Sequence, residues 1–592
     1  LIAQAAGKVF SGIARPWGRR RLPWYSRGLL ANPEARSKFE PPAASRAASL
    51  LESTAASPAA LLTVCEQTGF QDTGRFDEII RLGRRLQRCS SLIEPVDFGK
   101  TAEGRSLIVW SAPGVPHPRL PSILIQSAVH AGETAGKDAT LMLLRDFALG
   151  RYPHWAGRCN LLVIPVFNVD GHEDRSLLNR GNQNGPREIG RRVTAQRIDL
   201  NRDYVKADAP EMRAWLRLYN NVLPHLFIDN HTSNGIDFQY DLTFHIQLRK
   251  MLWKSVAGWN RAFRRDLLAR LAAGGHIAGP YFEIEEPPEP HSTLRLEFRP
   301  PGYSWGYASA QNRSAVVVET HSLKDYRTQV WAHYDFMRHS IDLVCSRPAA
   351  LLRAVRTADR EVAVLAASQA RKRLFLDGEL AGAGRPYLFR GLAFDPVRSG
   401  IAGVTVPRYR PEPRDIPVLV MTRVDTNVAP IIPAAYIIPP AWRAVLDLLR
   451  LHGLTIEPLK HPIEGEFETY RLEQECWDDR PAGGRHRLRF RCRKVRFQAV
   501  SMPGAFYLSL RQRAARVALH LLEPEGPESL LRWGFFNTIF DQTEYLSPHV
   551  FAPLAARMLR ANAGASLDFL YRMSPYAEKD QNLYPVWRVP KP

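Results

Sequence analysis

Four short apolar runs, each leading into chemically active side chains, most constrain what this chain can fold into. They are residues 122–129 (SILIQSAV), 160–167 (NLLVIPVF), 226–229 (LFID) and 315–318 (AVVV). Each is rich in β-branched residues and apolar on both faces, the pattern of a strand buried inside a sheet. Segments of helical period, 137–149 (KDATLMLLRDFAL) and 211–218 (EMRAWLRL), lie between them. Strands alternating with helices predict an α/β fold with a doubly wound, mostly parallel sheet. In such sheets ligands bind beyond the carboxyl ends of the strands. The first run leads into His130-Ala131-Gly132-Glu133 and the second into Asn168-Val169-Asp170-Gly171. The third ends in Asp229-Asn230-His231 and the fourth in Glu319. His130, Glu133, His231 and Glu319 therefore fall on one rim of one sheet. Two imidazoles and one carboxylate, with a fourth position left to water, form a donor set of catalytic zinc sites. A lone H-x-x-E is more often a surface turn; here the rim positions converge. Glu319 closes the run AVVV, where an acid is expensive to bury without purpose. His172 and Glu173 follow the second strand and are rival ligands, but their adjacency makes it awkward for both to face one metal.

Length and charge bound the alternatives. The chain has 592 residues, enough for two to four domains and a large core without staples. The formal net charge of +21 invites a nucleic-acid reading, but arginine is spread along the whole chain. No zinc-finger spacing, RNA-recognition signature or phosphate-binding glycine loop accompanies it, so no nucleic-acid partner is expected. None of the six cysteines sits in a C-x-x-C pair, which argues against a structural zinc site or a redox dithiol and leaves the redox compartment open. No apolar run approaches the length of a membrane span. Residues 1–60 are basic, then Ala/Ser/Pro-rich, and read as a disordered arm, a trimmed leader or an upstream mis-start. Residues 61–350 read as the catalytic domain. Residues 351–592 read as a second, mixed α+β region, with Pro-rich segments at 407–417 and 430–440, a helix at 441–449 and strands such as 486–490 and 517–522.

Between the second and third strands stands GRRVTAQRIDLNRDY, residues 190–204. Here the chain resembles the zinc carboxypeptidase family, with its carboxypeptidase A-like fold, over about residues 75–326. The motifs that carry the resemblance occur in order: His130-x-x-Glu133, Asn168-x-Asp170-Gly171, Asp199-x-Asn201-Arg202, His231 and Glu319. Their long form (NQNGPREIGRRVTAQRIDLNRDYVKADAPEM, FIDNHTSNG, VVVETHS) looks like an uncharacterised bacterial branch with a C-terminal extension. The resemblance implies one zinc per chain on His130, Glu133 and His231. It implies that Asp199 orients His130, and that Asn201 and Arg202 bind a substrate's terminal carboxylate. Arg192 would polarise the scissile carbonyl. It lies nine residues before Asn201, as in short-interval members of the family; Arg191 and Arg197 read as solvated charges of the same basic loop. Glu319 would take a proton from the attacking water and pass it to the leaving amine. One departure stands out. The family supplies a mobile Tyr upstream of the general base, near Glu297 and Phe298 here; Tyr303 and Tyr307 are the nearby phenols.

The implied activity is a zinc-dependent metallocarboxypeptidase acting on peptides with a free C-terminal carboxylate. A zinc deacylase of N-acyl amino acids would share these residues, and the HAGE form and long spacing favour the peptidase. A non-catalytic peptide-binding module would show a lost ligand or base, and none is lost.

Overall fold

The apolar runs become strands because β-branched side chains fit a pleated surface buried on both faces. The computed structural model describes residues 61–591 apart from 114–115, 248, 297, 402, 542–546 and 562–581. The arm 1–60 and Glu297 lie outside the described residues. Among the described residues nine strands lie before residue 350: β1 (Glu94–Lys100), β2 (Ser106–Ala112), β3 (Ser122–Ser127), β4 (Asn160–Ile164), β5 (Leu226–Thr232), β6 (Leu242–Ile246), β7 (Ala278–Pro280), β8 (Thr293–Arg295) and β9 (Ser314–Thr320). Eight of them form one sheet in the order β1-β2-β4-β3-β5-β9-β6-β7. Its centre, β4-β3-β5-β9, is parallel. Antiparallel pairings, β1–β2, β2–β4 and β6–β9, build the flanks.

Period-two alternation sends successive side chains to opposite cores. Ile123, Ile125, Ile228, Val316 and Val318 enter one core, which the helices Ala135–Ala148, Lys254–Ala273 and Tyr326–Ser346 cover. Leu124, Phe227, Ala315 and Val317 enter the other. That second core also takes Trp215 and Tyr219 of helix Pro210–Val222, together with Leu446 and Leu449 of helix Arg443–Leu451 and Leu519 and Leu522 of helix Ala515–Leu522. The C-terminal region thus completes the covering of the eight-stranded sheet. Polar contacts join the two as well. Arg485 pairs in bidentate fashion with Asp208 at 2.7 and 2.8 Å, and the Tyr307 hydroxyl lies 3.0 Å from His452 Nδ1. The described residues belong to one compact unit.

Beyond residue 350 the chain is β-rich. Strands Arg385–Arg398 and Thr405–Met421 form a long hairpin to which β8 adds in parallel. The Pro-rich stretch 407–417 is part of that hairpin. A six-stranded sheet holds Ala435–Ile438, Glu464–Trp477, Leu488–Val500 and three shorter strands. One expectation needs correcting: 517–522 is not a strand but part of helix Ala515–Leu522. All eight of its residues are buried, Arg516 and His520 included, and the run 517–522 holds only one polar residue, so it reads as a short apolar strand.

Candidate metal centre

The period that feeds the second core also places the site. Along β5, Phe227, Asp229 and His231 share one face; along β9, Ala315, Val317 and Glu319 share the same one, because His231 pairs with Glu319 in parallel register. At the carboxyl ends of the strands that face turns from apolar to ionisable. His130 and Glu133 follow β3 in the turn before helix Ala135–Ala148, where Glu133 N–H donates to His130 O at 3.0 Å.

His130, Glu133 and His231 converge, with one ligand atom from each lying within 4.8 Å of the others; among the described residues this is the one such group of three or more. All three are buried. His130 Nδ1 lies 2.9 Å from Glu133 Oε1, and His231 Nδ1 lies 2.8 Å from Glu133 Oε2. The other ring nitrogens face carboxylates. His231 Nε2 is 2.9 Å from Asp229 Oδ2. His130 Nε2 is 3.3 Å from Asp199 Oδ1, at ion-pair distance but without hydrogen-bond alignment. The Asp229 carboxylate bonded at Nε2 fixes the His231 tautomer that turns Nδ1 inward, the arrangement of metal-bound histidines, and the Asp199 charge near His130 Nε2 favours the same orientation. Two inward Nδ1 atoms and one carboxylate fit a zinc-type dication.

The charges are set by burial and by each other. Burial opposes ionisation of Glu133, but Arg180, His130 and His231 together hold its carboxyl well below the ordinary range. Burial likewise opposes a charged His231, yet Asp229, Glu133 and Glu319 raise it well above the ordinary value. Asp199 is held down despite burial by His130, Arg192 and Arg202. Glu319 goes the other way: desolvation, reinforced by Glu133 and Asp229 against His231 and Arg180, pushes it up to about 8.

The remaining expected residues surround this group. Arg192 donates from Nε to Asp199 Oδ2 at 3.1 Å, with Nη2 at 3.0 Å from the same oxygen. Its loop is anchored by Asn168, whose side chain donates to Arg192 O at 3.1 Å. The same loop packs on Gly171, where an added Cβ would meet Val193 O at 2.5 Å and Arg191 O at 2.7 Å. The Asn-x-Asp-Gly motif therefore shapes the site from behind. Asn201 Oδ1 accepts from Ser304 N–H at 3.1 Å, while its Nδ2 stands 3.5 Å from His231 Nε2. Arg202 donates to Asn201 O at 2.8 Å, and its guanidinium stacks 4.0 Å over the Tyr303 ring. Arg299 also stacks on that ring, at 5.0 Å. Tyr307 is fully buried in the core and Phe298 packs against Phe375. His172 stands apart: its ring contacts Glu173 at 2.9 Å and Arg175 at 3.1 Å, and burial lowers it to about 3.

Three residues of the site escaped sequence reasoning. Asp229 sits two positions before His231 on one strand face, a signal that the period carries. Arg180 lies in a loop and contacts Glu133 directly, Nη1 to Oε1 at 2.8 Å; no pattern announces it. Tyr281 follows the three-residue strand β7. β7 pairs in parallel with β6, Thr243 to Gly279, and Thr243 pairs with Glu319, so the next odd position, Tyr281, shares the face of Glu319. Its phenol is raised well above the ordinary value by burial and by the charges of Glu319, Glu283 and Glu133.

An α/β sheet with a His–Glu–His cradle at its carboxyl rim has the donor set of a metal-dependent hydrolase. Residues 80–233 match the zinc carboxypeptidase family. Carboxypeptidase 2 of Trichophyton rubrum is 23% identical over 479 residues, 76% of this chain and 82% of that protein. Carboxypeptidase Z of Mus musculus is 28% identical over 132 residues, 21% of this chain and 20% of that protein. Among solved structures, a carboxypeptidase A from Helicoverpa armigera matches at 16% identity and a TM-score of 0.36, covering 48% of this chain and 74% of that one. Residues 80–233 are thus similar to the zinc carboxypeptidase family, and the longer likeness to a carboxypeptidase supports a metallocarboxypeptidase hydrolase.

Proposed function

We propose that this protein hydrolyses the C-terminal peptide bond of peptides that end in a free carboxylate, with one zinc per chain on His130, Glu133 and His231. The convergence of those three side chains, each with a polar partner at its back, carries the reading. Zinc bound there supplies Lewis acidity toward a water and a scissile carbonyl.

The chain's own residues do the rest. Asp229 holds the His231 imidazole in the tautomer that faces inward, and the Asp199 charge beside His130 Nε2 favours the same for His130. Glu319, buried beside His231, takes a proton from the attacking water and returns it to the leaving amine. Its desolvated carboxyl binds a proton far more firmly than a surface acid does, which suits it to that task. Arg192 carries positive charge to the rim where an oxyanion develops, while Asp199 fixes its direction. Arg202 presents a guanidinium braced on Tyr303, and Asn201 contributes its remaining amide donor; together they take the substrate's carboxylate. Tyr281 adds a neutral phenol on the same face as Glu319. We take residues 61–350 as the catalytic domain and 351–592 as a region that walls it permanently; the shared core supports this division of labour. Among the described residues no helix is long and apolar enough to cross a membrane.

The test is a substrate panel run on one preparation whose metal content is measured. Peptides with free C-termini should lose their last residue, and amidated ones should not. Release of amino acids from N-acyl derivatives alone, with no action on peptides, would replace this reading with a deacylase.

A further inference from the structure

Each oxygen of Glu133 receives two groups. Oε2 faces His231 Nδ1 at 2.8 Å and accepts from Thr232 N–H at 3.1 Å. Oε1 faces His130 Nδ1 at 2.9 Å and Arg180 Nη1 at 2.8 Å. The two imidazoles lie where a metal would sit; Thr232 N–H and Arg180 approach from the side. Arg180 is built into that place. Its side chain is 8% exposed. Nε donates to Gln183 Oε1 at 2.9 Å, and Nη2 donates to Thr232 O at 3.2 Å and Asn234 Oδ1 at 3.0 Å. Its backbone is left-handed, with φ of 48°. It reaches Glu133 across Gly132, where an added Cβ would stand 2.5 Å from Arg180 Cδ and 2.7 Å from Gly190 O. The missing side chain in the H-x-G-E turn is thus what admits the arginine.

We propose that Arg180 is a positioning residue that sets the charge of the metal cradle, a role that rests on the metal reading given above. Thr232 N–H already holds Glu133 Oε2, so orientation of Glu133 does not depend on Arg180 alone. What Arg180 alone adds is a full positive charge in contact with a ligand oxygen. Arg192, the other cation nearby, is spent on Asp199. In a buried site one unit charge a few ångströms away outweighs the loss of one lateral hydrogen bond. The consequence is counter-intuitive. Arg180 draws charge away from Glu133, weakens its donation, and leaves the bound metal more electrophilic while holding it less tightly.

Zinc affinity of the full chain, measured by competition with a chromophoric chelator, tests this alongside kcat/KM on a free-acid peptide. R180M should bind zinc at least ~10-fold more tightly than wild type and turn over more slowly by a similar factor or more. R180K, which keeps the unit charge, should stay within about 3-fold of wild-type affinity. A purely structural arginine predicts the opposite sign, with metal and activity lost together. R180M that binds zinc equally or more weakly overturns the inference, as does R180K that tightens like R180M. Should R180M not fold, by the criterion of a cooperative melting transition, R180Q takes its place with the same expected sign. Wild-type protein that takes up no zinc overturns the metal reading itself, and is seen before any variant is made.

Discussion

Replacing Glu319 by Gln should have two effects of opposite sign, one on rate and one on stability. Gln keeps the shape of the side chain but accepts no proton, so turnover should fall roughly 10²–10⁴-fold with zinc retained. The stability effect follows from where Glu319 stands. Burial and Glu133 push its carboxyl up from 4.5 to about 8 in the metal-free fold. An acid whose folded pKa is raised keeps its proton in the folded state after the unfolded chain has released it. Folding stability therefore falls as pH rises through that window, by about 1.4 kcal/mol per unit. At pH 7 the window has been crossed for about 2.5 units, which makes Glu319 a burden of roughly 3 kcal/mol on the metal-free protein. Gln has no such burden. With an unfolding entropy of about 2 cal/mol/K per residue over 592 residues, the gain corresponds to ~3 °C in Tm. Metal-free wild type and E319Q should melt together near pH 4.5 and separate progressively up to pH 8, with the variant the more stable. Zinc should close the gap, since a nearby dication favours the carboxylate of the wild type. The measurement is thermal unfolding of both proteins, with chelator and with zinc, from pH 5 to 8. A gap that does not widen with pH, or an E319Q protein that is the less stable at pH 8, would falsify the argument that Glu319 is a desolvated acid at this rim.

Further outcomes follow from the same geometry. His231→Ala removes one of two inward imidazoles and should lose both metal and activity; full zinc occupancy by elemental analysis would sink the ligand set. Amidating a peptide's C-terminus should lower kcat/KM by on the order of 10²-fold or more, because the Arg202 guanidinium is then left without its anion. Arg202→Ala should narrow that acid-to-amide ratio, and an unchanged ratio would move carboxylate recognition elsewhere. A chain ending near residue 350 should not give a soluble, active enzyme, since it would uncover the face bearing Trp215, Tyr219 and Tyr307; limited proteolysis that releases an active fragment there would show the opposite.

The parts legible in the sequence are those where one period rules. β3, β4, β5 and β9 all overlap the runs that announce them, because a strand buried on both faces is apolar throughout. Their carboxyl ends then bring His130, Glu133 and His231 together, since parallel register leaves little freedom in where those residues fall. The flanks were harder to read. β6 (LTFHI) reads as an ordinary half-polar stretch, and β7 is three residues long, yet these two carry Tyr281 to the face of Glu319. Helix Ala515–Leu522 is short and mostly apolar, with only Arg516 and His520 to mark a helical period. Asn201 shows the limit of a motif: the sequence places it beside Asp199, but only the fold reveals that Ser304 N–H already occupies its carbonyl.

Arg180 marks the boundary most sharply. Nothing in NRGNQNG distinguishes it from the other arginines of a basic chain. Its meaning comes from a residue that is missing elsewhere, the side chain of Gly132, and from a left-handed backbone that turns it inward. A family motif records which atoms could hold the metal. How strongly they hold it depends on charges the motif does not contain, supplied by a loop some fifty residues downstream. Three charged partners of the cradle, Asp199, Asp229 and Arg180, come from three different segments, two anionic and one cationic. The two anions strengthen the imidazole donors and the cation weakens the carboxylate donor. If zinc sits on the proposed ligands, the balance among them, rather than the ligand set by itself, would govern both the affinity and the electrophilicity of the metal.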